Sequence, residues 1–419
     1  MTLDALVVAD DLTGSMDTGH EFAARGHPTT VAVGEGGVRP ESGVLVVNTD
    51  SRYLPAEEAR AAVEAVVRGT PARVLYKKVD STLRGNLVAE IEAALDASGR
   101  DCALVAPAFP AGGRLTACGY HLVDGAFVTD TAAGQDPEKP VTSPHLPTLL
   151  ADAERPVDHV GVETVARGPG AVVDVVREGI LACDSVHDDH LAALARGAAR
   201  SERDVVYVGS AGLAAAVELP DRAETTVVEG HEPPADARVL GIAGSASPTT
   251  VEQLRAVPGE RIVPLDGELA ATDPAAAAER AAERALEVLE SGGSAVVASV
   301  LEADDVDRAL RAGREASVDP ERVRERVAGS LGLVATGVWK RDPPDGLFVT
   351  GGAVAGRVFD ALGATGVRLT GEAVEAGVPV GRLIDGVAAG TPVVTKAGAF
   401  GGERTIVNCL ARLGGSDGG

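Results

Sequence analysis

Short runs of Val, Leu, Ile and Ala alternate with amphipathic stretches from one end of the chain to the other. Runs of this kind, bounded by Gly, Asp or Pro, predict strands buried on both faces. The stretches between them predict crossover helices. Strands are predicted at Leu6 to Ala9, Thr30 to Val33, Gly43 to Asn48, Arg73 to Tyr76, Ala103 to Pro107, Val205 to Gly209, Val239 to Ala243, Ser294 to Val300, Leu347 to Thr350 and Pro392 to Lys396. Helices are predicted between them, among them Thr13 to Arg25, Leu87 to Leu95 and Ala353 to Leu362. The pattern is that of an α/β protein with largely parallel sheets flanked by helices. It breaks at Val228 to Asp236, a segment rich in Pro and charge and without period. That break predicts a linker at 231–237 between an N-terminal domain, 1–230, and a C-terminal domain, 238–419. Between Gly112 and Pro147, Gly, Pro and Thr are frequent and the period is lost, which predicts a functional loop rather than a core element. Asp273 to Glu290, Ala-rich with Glu and Arg spaced along it, reads as a helix with a solvated face. The tail from Gly414 reads as disordered.

Composition narrows the picture. A chain of 419 residues has room for two or three domains, each with its own core. With 45% hydrophobic but only 3% aromatic residues, those cores must be built from Val, Leu, Ala and Ile. A net charge of −24 argues against nucleic acid or an anionic membrane as partner, and a polyphosphate ligand would need a locally positive pocket. Of 38 basic residues only Lys77, Lys78, Lys139, Lys340 and Lys396 are lysine, which fits a high-salt cytoplasm or a GC-rich genome. Cys102, Cys118, Cys183 and Cys409 lack the paired spacing of a metal site. The first apolar run has no basic region before it and stops at Asp10, unlike a signal peptide, and no run approaches a membrane span. A soluble, cytoplasmic protein is expected. Whether it forms a homo-oligomer stays open.

The chemistry is concentrated in a few loops. Tyr76 to Asn86 places two ammoniums, a carboxylate, two hydroxyls, a guanidinium and an amide between a predicted strand and a predicted helix. In open parallel sheets such loops lie at the carboxyl ends of strands, where ligands bind. Lys78, Asp80 and Arg84 suit an anionic, hydroxyl-rich small molecule, since Arg grips a carboxylate bidentately and Asp accepts from hydroxyls. The alternative is a solvated loop with an internal ion pair. Asp10 and Asp11 end the first strand. Two adjacent carboxylates repel, so a cation or ligand hydroxyls must share the site, and one of them is also a natural cap for the next helix.

These segments carry a resemblance. Ala9 to Gly14, Lys77 to Asn86 and Pro107 to Arg114 look like the signature segments of the four-carbon acid sugar kinase family. The likeness continues through Tyr120 to Gly125, Asp136-Pro137, Ser143 to His145, Gly209 to Leu213, Gly244 to Ser247, Thr350 to Gly352 and Thr395 to Gly401. The resemblance implies a two-domain kinase with a ligand cleft between the domains. It would use ATP and magnesium to phosphorylate a terminal hydroxyl of an acid such as threonate, erythronate or an oxo form. By that resemblance Asp10, Lys78, Asp80, Arg84, Gly113, Arg114 and His121 belong to the acid site, with Asp11 and Asp80 as candidates for orienting or deprotonating the hydroxyl. Which residues hold the metal stays open. His145 sits in the same region, and for both histidines a structural role is an equal alternative.

In the second half, three strand-to-helix loops bear glycine: Gly244 to Ser247, Gly351-Gly352 and Ala397 to Gly402. Bare amides at helix starts suit phosphates. Ser245, Gly351, Gly352, Ala353, Val354, Gly398 and Gly401 are therefore the nucleotide candidates. Kinases of the resembled family carry Glu and Thr where this chain has Ala353 and Val354, so phosphate binding here would rest on main-chain donors. A degenerate kinase that senses a sugar acid is the alternative. A P-loop and a dinucleotide fingerprint are both absent, which argues against an ordinary P-loop or NAD site. Trp339 reads as a packing anchor and Gly209-Ser210 as an anion-binding turn.

Overall fold

The apolar runs become strands because they can be buried on both faces only between layers of helices. The computed structural model describes residues 2–34, 38, 40, 43–136, 138–219, 233–234 and 236–414. The chain divides into two units, Met1–Thr29 with Arg39–Thr226, and Thr30–Val38 with Val227–Gly419. Residues 231, 232 and 235 of the expected linker, and the tail 415–419, lie outside the described residues.

The strands of the N-terminal half are β1 (Leu3–Ala9), β2 (Thr29–Ala32), β3 (Val44–Asn48), β4 (Ala72–Lys78), β5 (Cys102–Ala106), β6 (Arg114–Ala117), β7 (Tyr120–Val123), β8 (Ala126–Phe127), β9 (Val157–Val160), β10 (Gly179–Cys183) and β11 (Val205–Gly209). In the first unit they form a parallel sheet in the order β3-β1-β4-β11-β5-β10-β9. β3 lies on one side of β1 and β4 on the other, so the connection reverses at β1 and opens a crevice at the carboxyl ends of β1 and β4. The registers Ala9↔Asn48, Ala9↔Lys78 and Gly209↔Lys78 bring these ends level. Where a loop was expected, β6, β7 and β8 build a small antiparallel sheet of their own. These strands are too short to carry a readable alternation.

The second unit contains β12 (Val239–Ala243), β13 (Ile262–Pro264), β14 (Ser294–Ala298), β15 (Gly346–Thr350), β16 (Gly366–Glu375), β17 (Val378–Ile384) and β18 (Pro392–Lys396). Its order is β13-β14-β12-β15-β18-β17-β16-β2, parallel as far as β18 and antiparallel beyond. β2 thus contributes Thr30 to Ala32 to the second unit's sheet, opposite Arg368 to Gly366. Val239, Phe348, Val394, Ile406 and Leu413 form part of one core here, and the aromatic poverty of the chain is met with aliphatic packing. Trp339 is buried on the helix Pro320–Arg341, as a packing anchor should be. No helix among the described residues is long and apolar enough to cross a membrane.

Candidate active site

Asp10 and Asp11 follow β1, and a guanidinium resolves their repulsion. Arg52, in the loop after β3, donates to Asp10 Oδ2 at 2.7 Å and Oδ1 at 3.0 Å, and to Asp11 Oδ1 at 2.6 Å. It also lies 3.9 Å from Asp80. Asp11 is the N-cap of the helix Leu12–Ala23, accepting from the Gly14 amide at 3.1 Å, while keeping more exposure than Asp10. Burial would raise the Asp10 carboxyl, but Arg52, Lys77 and Lys78 hold it below the ordinary carboxylate range.

The loop after β4 is fixed from within. Asp80 accepts from Arg84 Nε and from Thr82 Oγ1, each at 2.6 Å, and these two side chains with Arg52 overcome burial and keep it ionised well below the usual range. Arg84 Nη1 reaches Asp136 at 3.3 Å, and Tyr53 donates to the same carboxylate at 3.1 Å. Most of the Arg84 fork is therefore engaged inside the protein, unlike the free bidentate grip expected of it. Leu83 at φ 64° and Gly85 at φ 100° give the loop its tight course, a strained backbone of the kind functional sites retain. Asn86 Nδ2 bonds the Ser51 carbonyl at 2.9 Å, and so joins this loop to the one carrying Arg52.

Lys77 and Lys78, adjacent on β4, point to opposite faces. Lys77 is buried against Glu90 at 3.0 Å. Lys78 is only 4% exposed, and its ammonium donates to the Val79 carbonyl at 2.7 Å with no carboxylate within 4.0 Å among the described residues. It lies against the first turn of the helix Leu12–Ala23, where a Cβ on Gly14 would stand 2.9 Å from Nζ. One turn on, Asp17 is buried, and burial lifts its carboxyl to about 6 against the pull of Lys78 and Arg114. The buried Arg114 Nε has no hydrogen-bond partner among the described residues.

Four of the residues singled out from the sequence are engaged within the fold. His121 is fully buried, with Nδ1 at 3.0 Å from Thr116 Oγ1 and Nε2 at 2.8 Å from the Ser81 carbonyl. Burial holds its pKa down at about 4, and a neutral ring with both nitrogens engaged supports the 80–84 loop instead of lining a pocket. Gly113 serves the turn before β6: its φ is 75°, and a Cβ would overlap Asp124 Oδ1. The Ser210 hydroxyl is taken by the Ala108 carbonyl at 3.2 Å, so the turn at Gly209 is held within the fold. His145 is occupied by Thr148 at 2.8 Å and lies against the Tyr120 ring.

Sequence reasoning did not single out Arg52 or Asp17 as candidates, and it gave Asp136 only as part of a turn in the resembled family. The polar run Asn48 to Arg52 after a strand carried the same signal as Tyr76 to Asn86. Asp17 had none, since a carboxylate in a helix ordinarily faces water.

In the second unit the three glycine loops follow β12, β15 and β18, which are neighbours in the sheet. The Gly351 amide donates to the Lys396 carbonyl at 3.2 Å and the Gly244 amide to the Thr350 carbonyl at 3.1 Å, so the loops lie side by side. Gly351, at φ 105°, is the N-cap of the helix Gly352–Leu362, whose first-turn amides at Gly352, Ala353 and Val354 have no intrahelical acceptor. The Val354 side chain is buried, and a Cβ on Gly244 would overlap it, so only its amide is available to a ligand. A Cβ on Gly398 would overlap Ser245 Oγ, which brings the first and third loops into contact. Bare amides without a carboxylate fit phosphate groups. Among the described residues no cluster of His, Cys, Asp or Glu is suited to a metal.

Comparisons with known proteins agree with this division. A sugar-binding N-terminal domain matches residues 5–217, and a nucleotide-binding C-terminal domain matches residues 240–406. The chain is 33% identical to the D-threonate kinase of Salmonella typhimurium over 97% of each chain. It is 37% identical to that of Bordetella bronchiseptica over 97% of this chain and 96% of the relative. It is 31% identical to the D-erythronate kinase of Heliobacterium modesticaldum over 98% of this chain and 97% of the relative. A crystal structure from Salmonella typhimurium shares the fold, with TM-score 0.79, 22% identity and coverage of 97% of this chain and 98% of that one. The nucleotide-binding match and the kinase relatives imply use of ATP. With both domains matched and kinases related to it along nearly its whole length, the chain belongs to the four-carbon acid sugar kinase family.

Proposed function

We propose that the protein transfers the γ-phosphoryl group of ATP to a terminal hydroxyl of a four-carbon sugar acid of the threonate, erythronate or 3-oxo-tetronate type. The observation that carries this is the buried Lys78 ammonium, which has no carboxylate within 4.0 Å among the described residues and stands beside the Asp10–Asp11–Arg52 network. Lys78 and Arg114 hold the acid's carboxylate, with the remaining face of Arg84 beside them. Asp10, Asp11 and Asp80 accept from its hydroxyls. The hydroxyl oxygen attacks the γ-phosphorus, the bond to the bridging oxygen breaks, ADP leaves, and the proton passes to a carboxylate. Arg52 and Arg84 make Asp80 a weak base, whereas Asp17, at about 6, is better matched to that proton. Residues 238–419 bind the nucleotide through the amides of Gly352, Ala353, Val354, Gly398 and Gly401, with Ser245 alongside; the Gly351 amide is given to the Lys396 carbonyl, and Gly351 serves by its turn. A Mg2+ ion bound with the nucleotide would supply charge neutralisation on the phosphates.

The test is ADP release against D-threonate, D-erythronate and 3-oxo-tetronate, with five- and six-carbon acids as controls, with and without Mg2+, at low and multimolar salt. Turnover confined to four-carbon acids is expected. Acid binding without ADP release under any of these conditions would overturn the proposal in favour of a sugar-acid sensor.

A further inference from the structure

Lysine is scarce in this chain, which uses arginine for nearly all its basic residues, yet Lys77, Lys78 and Lys396 are buried. Lys77 is paired with Glu90, and Lys78 belongs to the proposed acid site. Lys396 ends β18 beneath the third glycine loop and is only 1% exposed. Its ammonium lies 2.8 Å from the Ala397 carbonyl, 3.1 Å from that of Gly398, 3.3 Å from that of Phe400 and 3.3 Å from Thr250 Oγ1. No carboxylate lies within 4.0 Å of it among the described residues.

Other side chains pull the same way. Thr250 Oγ1 donates to the Gly398 carbonyl at 2.8 Å, and Gln253 Nε2 donates to those of Phe400 and Gly402 at 3.0 and 2.9 Å. The carbonyls of 397, 398, 400 and 402 are thereby gathered inward. A peptide unit that turns its carbonyl in turns its N–H out. Among the described residues, the amides that share those peptide units, of Gly398, Ala399, Gly401 and Glu403, have no acceptor in the chain.

We propose that Lys396 is a positioning residue for the nucleotide: its ammonium acts as a tethered internal cation that draws the loop's carbonyls inward and leaves its amides facing the phosphates. This rests on the nucleotide-binding reading of residues 238–419. Lysine fits the task where arginine does not, because a compact ammonium can meet several converging oxygens while a planar guanidinium cannot. The uncompensated charge also adds a positive potential under the phosphates. Burial lowers the ammonium to about 8, opposed by the groups that face it, the Cys409 thiol and Glu375. Glu375 is itself held by Thr405 and Asn408.

The test titrates ATP, and separately D-threonate, into the full chain between pH 7 and 9.5. Nucleotide affinity is expected to fall about tenfold per pH unit once the pH passes about 8, as the ammonium loses its proton, while acid affinity stays level. Lys396→Met is expected to lose at least tenfold in nucleotide affinity, keep acid affinity, and regain part of the loss in ammonium chloride but not in sodium chloride. An unmodified protein whose nucleotide affinity is flat across this range would overturn the proposal, even if the variant does not fold. So would a folded Lys396→Met that binds ATP as tightly as the unmodified chain. Absence of ATP binding by the unmodified protein at every pH would overturn the nucleotide reading itself, and this proposal with it.

Discussion

Asp17→Asn should stabilise the protein and impair it at once. The carboxyl is buried, receives no hydrogen bond from the described residues, and is raised from 3.8 to about 6. At ~1.4 kcal/mol per unit, that shift corresponds to about 3 kcal/mol of folding free energy. The sign follows from which state gives up its proton first. The unfolded chain ionises near the ordinary value, so stability falls as pH rises through the interval up to about 6, and the full penalty is present above it. Asparagine, close in size and uncharged, removes the penalty. The variant should be more stable than the parent by up to about 3 kcal/mol at pH 8 and by nearly nothing at pH 4. Urea unfolding at both pH values measures this. The four tyrosines, at 53, 76, 120 and 207, all lie in the first unit and Trp339 in the second, so tyrosine emission reports the unit that carries the change. Turnover should fall by about a hundredfold or more, the range for a lost proton acceptor. A variant less stable than the parent at pH 8, or one with equal gains at both pH values, would refute the reasoning.

Three further substitutions separate the sites. Arg84→Ala releases Asp80 and Asp136, and should weaken acid binding by about 2–4 kcal/mol while leaving ATP binding unchanged, as calorimetric titration of both ligands would read. Equal losses for the two ligands would place its role elsewhere. Arg52→Met leaves Asp10 and Asp11 without their shared cation and should lower stability by about 3–5 kcal/mol in urea, with Arg52→Lys recovering part of it. Gly398→Ala forces the third loop away from Ser245 and should reduce ATP affinity with acid affinity kept; unaltered ATP affinity would count against the loop's role.

Much of the site was legible because its signals are local. Asp10 and Asp11, the Tyr76 to Asn86 loop and the three glycine turns each combine a strand end with an unusual residue set, and within each unit the parallel strands put such ends on one side. What stayed hidden depends on distance in sequence. Arg52 is one arginine among many until its guanidinium meets Asp10 and Asp11. Asp17 looks solvated until β1, β3 and β4 pack against its helix. His121 looks like a ligand until Thr116 and Ser81 take both its nitrogens. The hairpin of β16 and β17 continues a parallel sheet in antiparallel fashion, a switch that local periodicity does not encode.

The passage of β2 into the second unit bears on how the chain is born. Thr30 to Ala32 leave the ribosome among the first residues, but Gly366 to Arg368, with which they pair, come after most of the chain. Until then the side of β2 that pairs with β16 has main-chain donors and acceptors open to other chains. The first unit can complete its own sheet early, yet residues 30–38 must be held in reserve. Severing the gene near residue 230 would therefore not yield two self-sufficient proteins: the later piece would lack a strand and expose the edge of β16, and the earlier piece would carry a strand without its β16 partner.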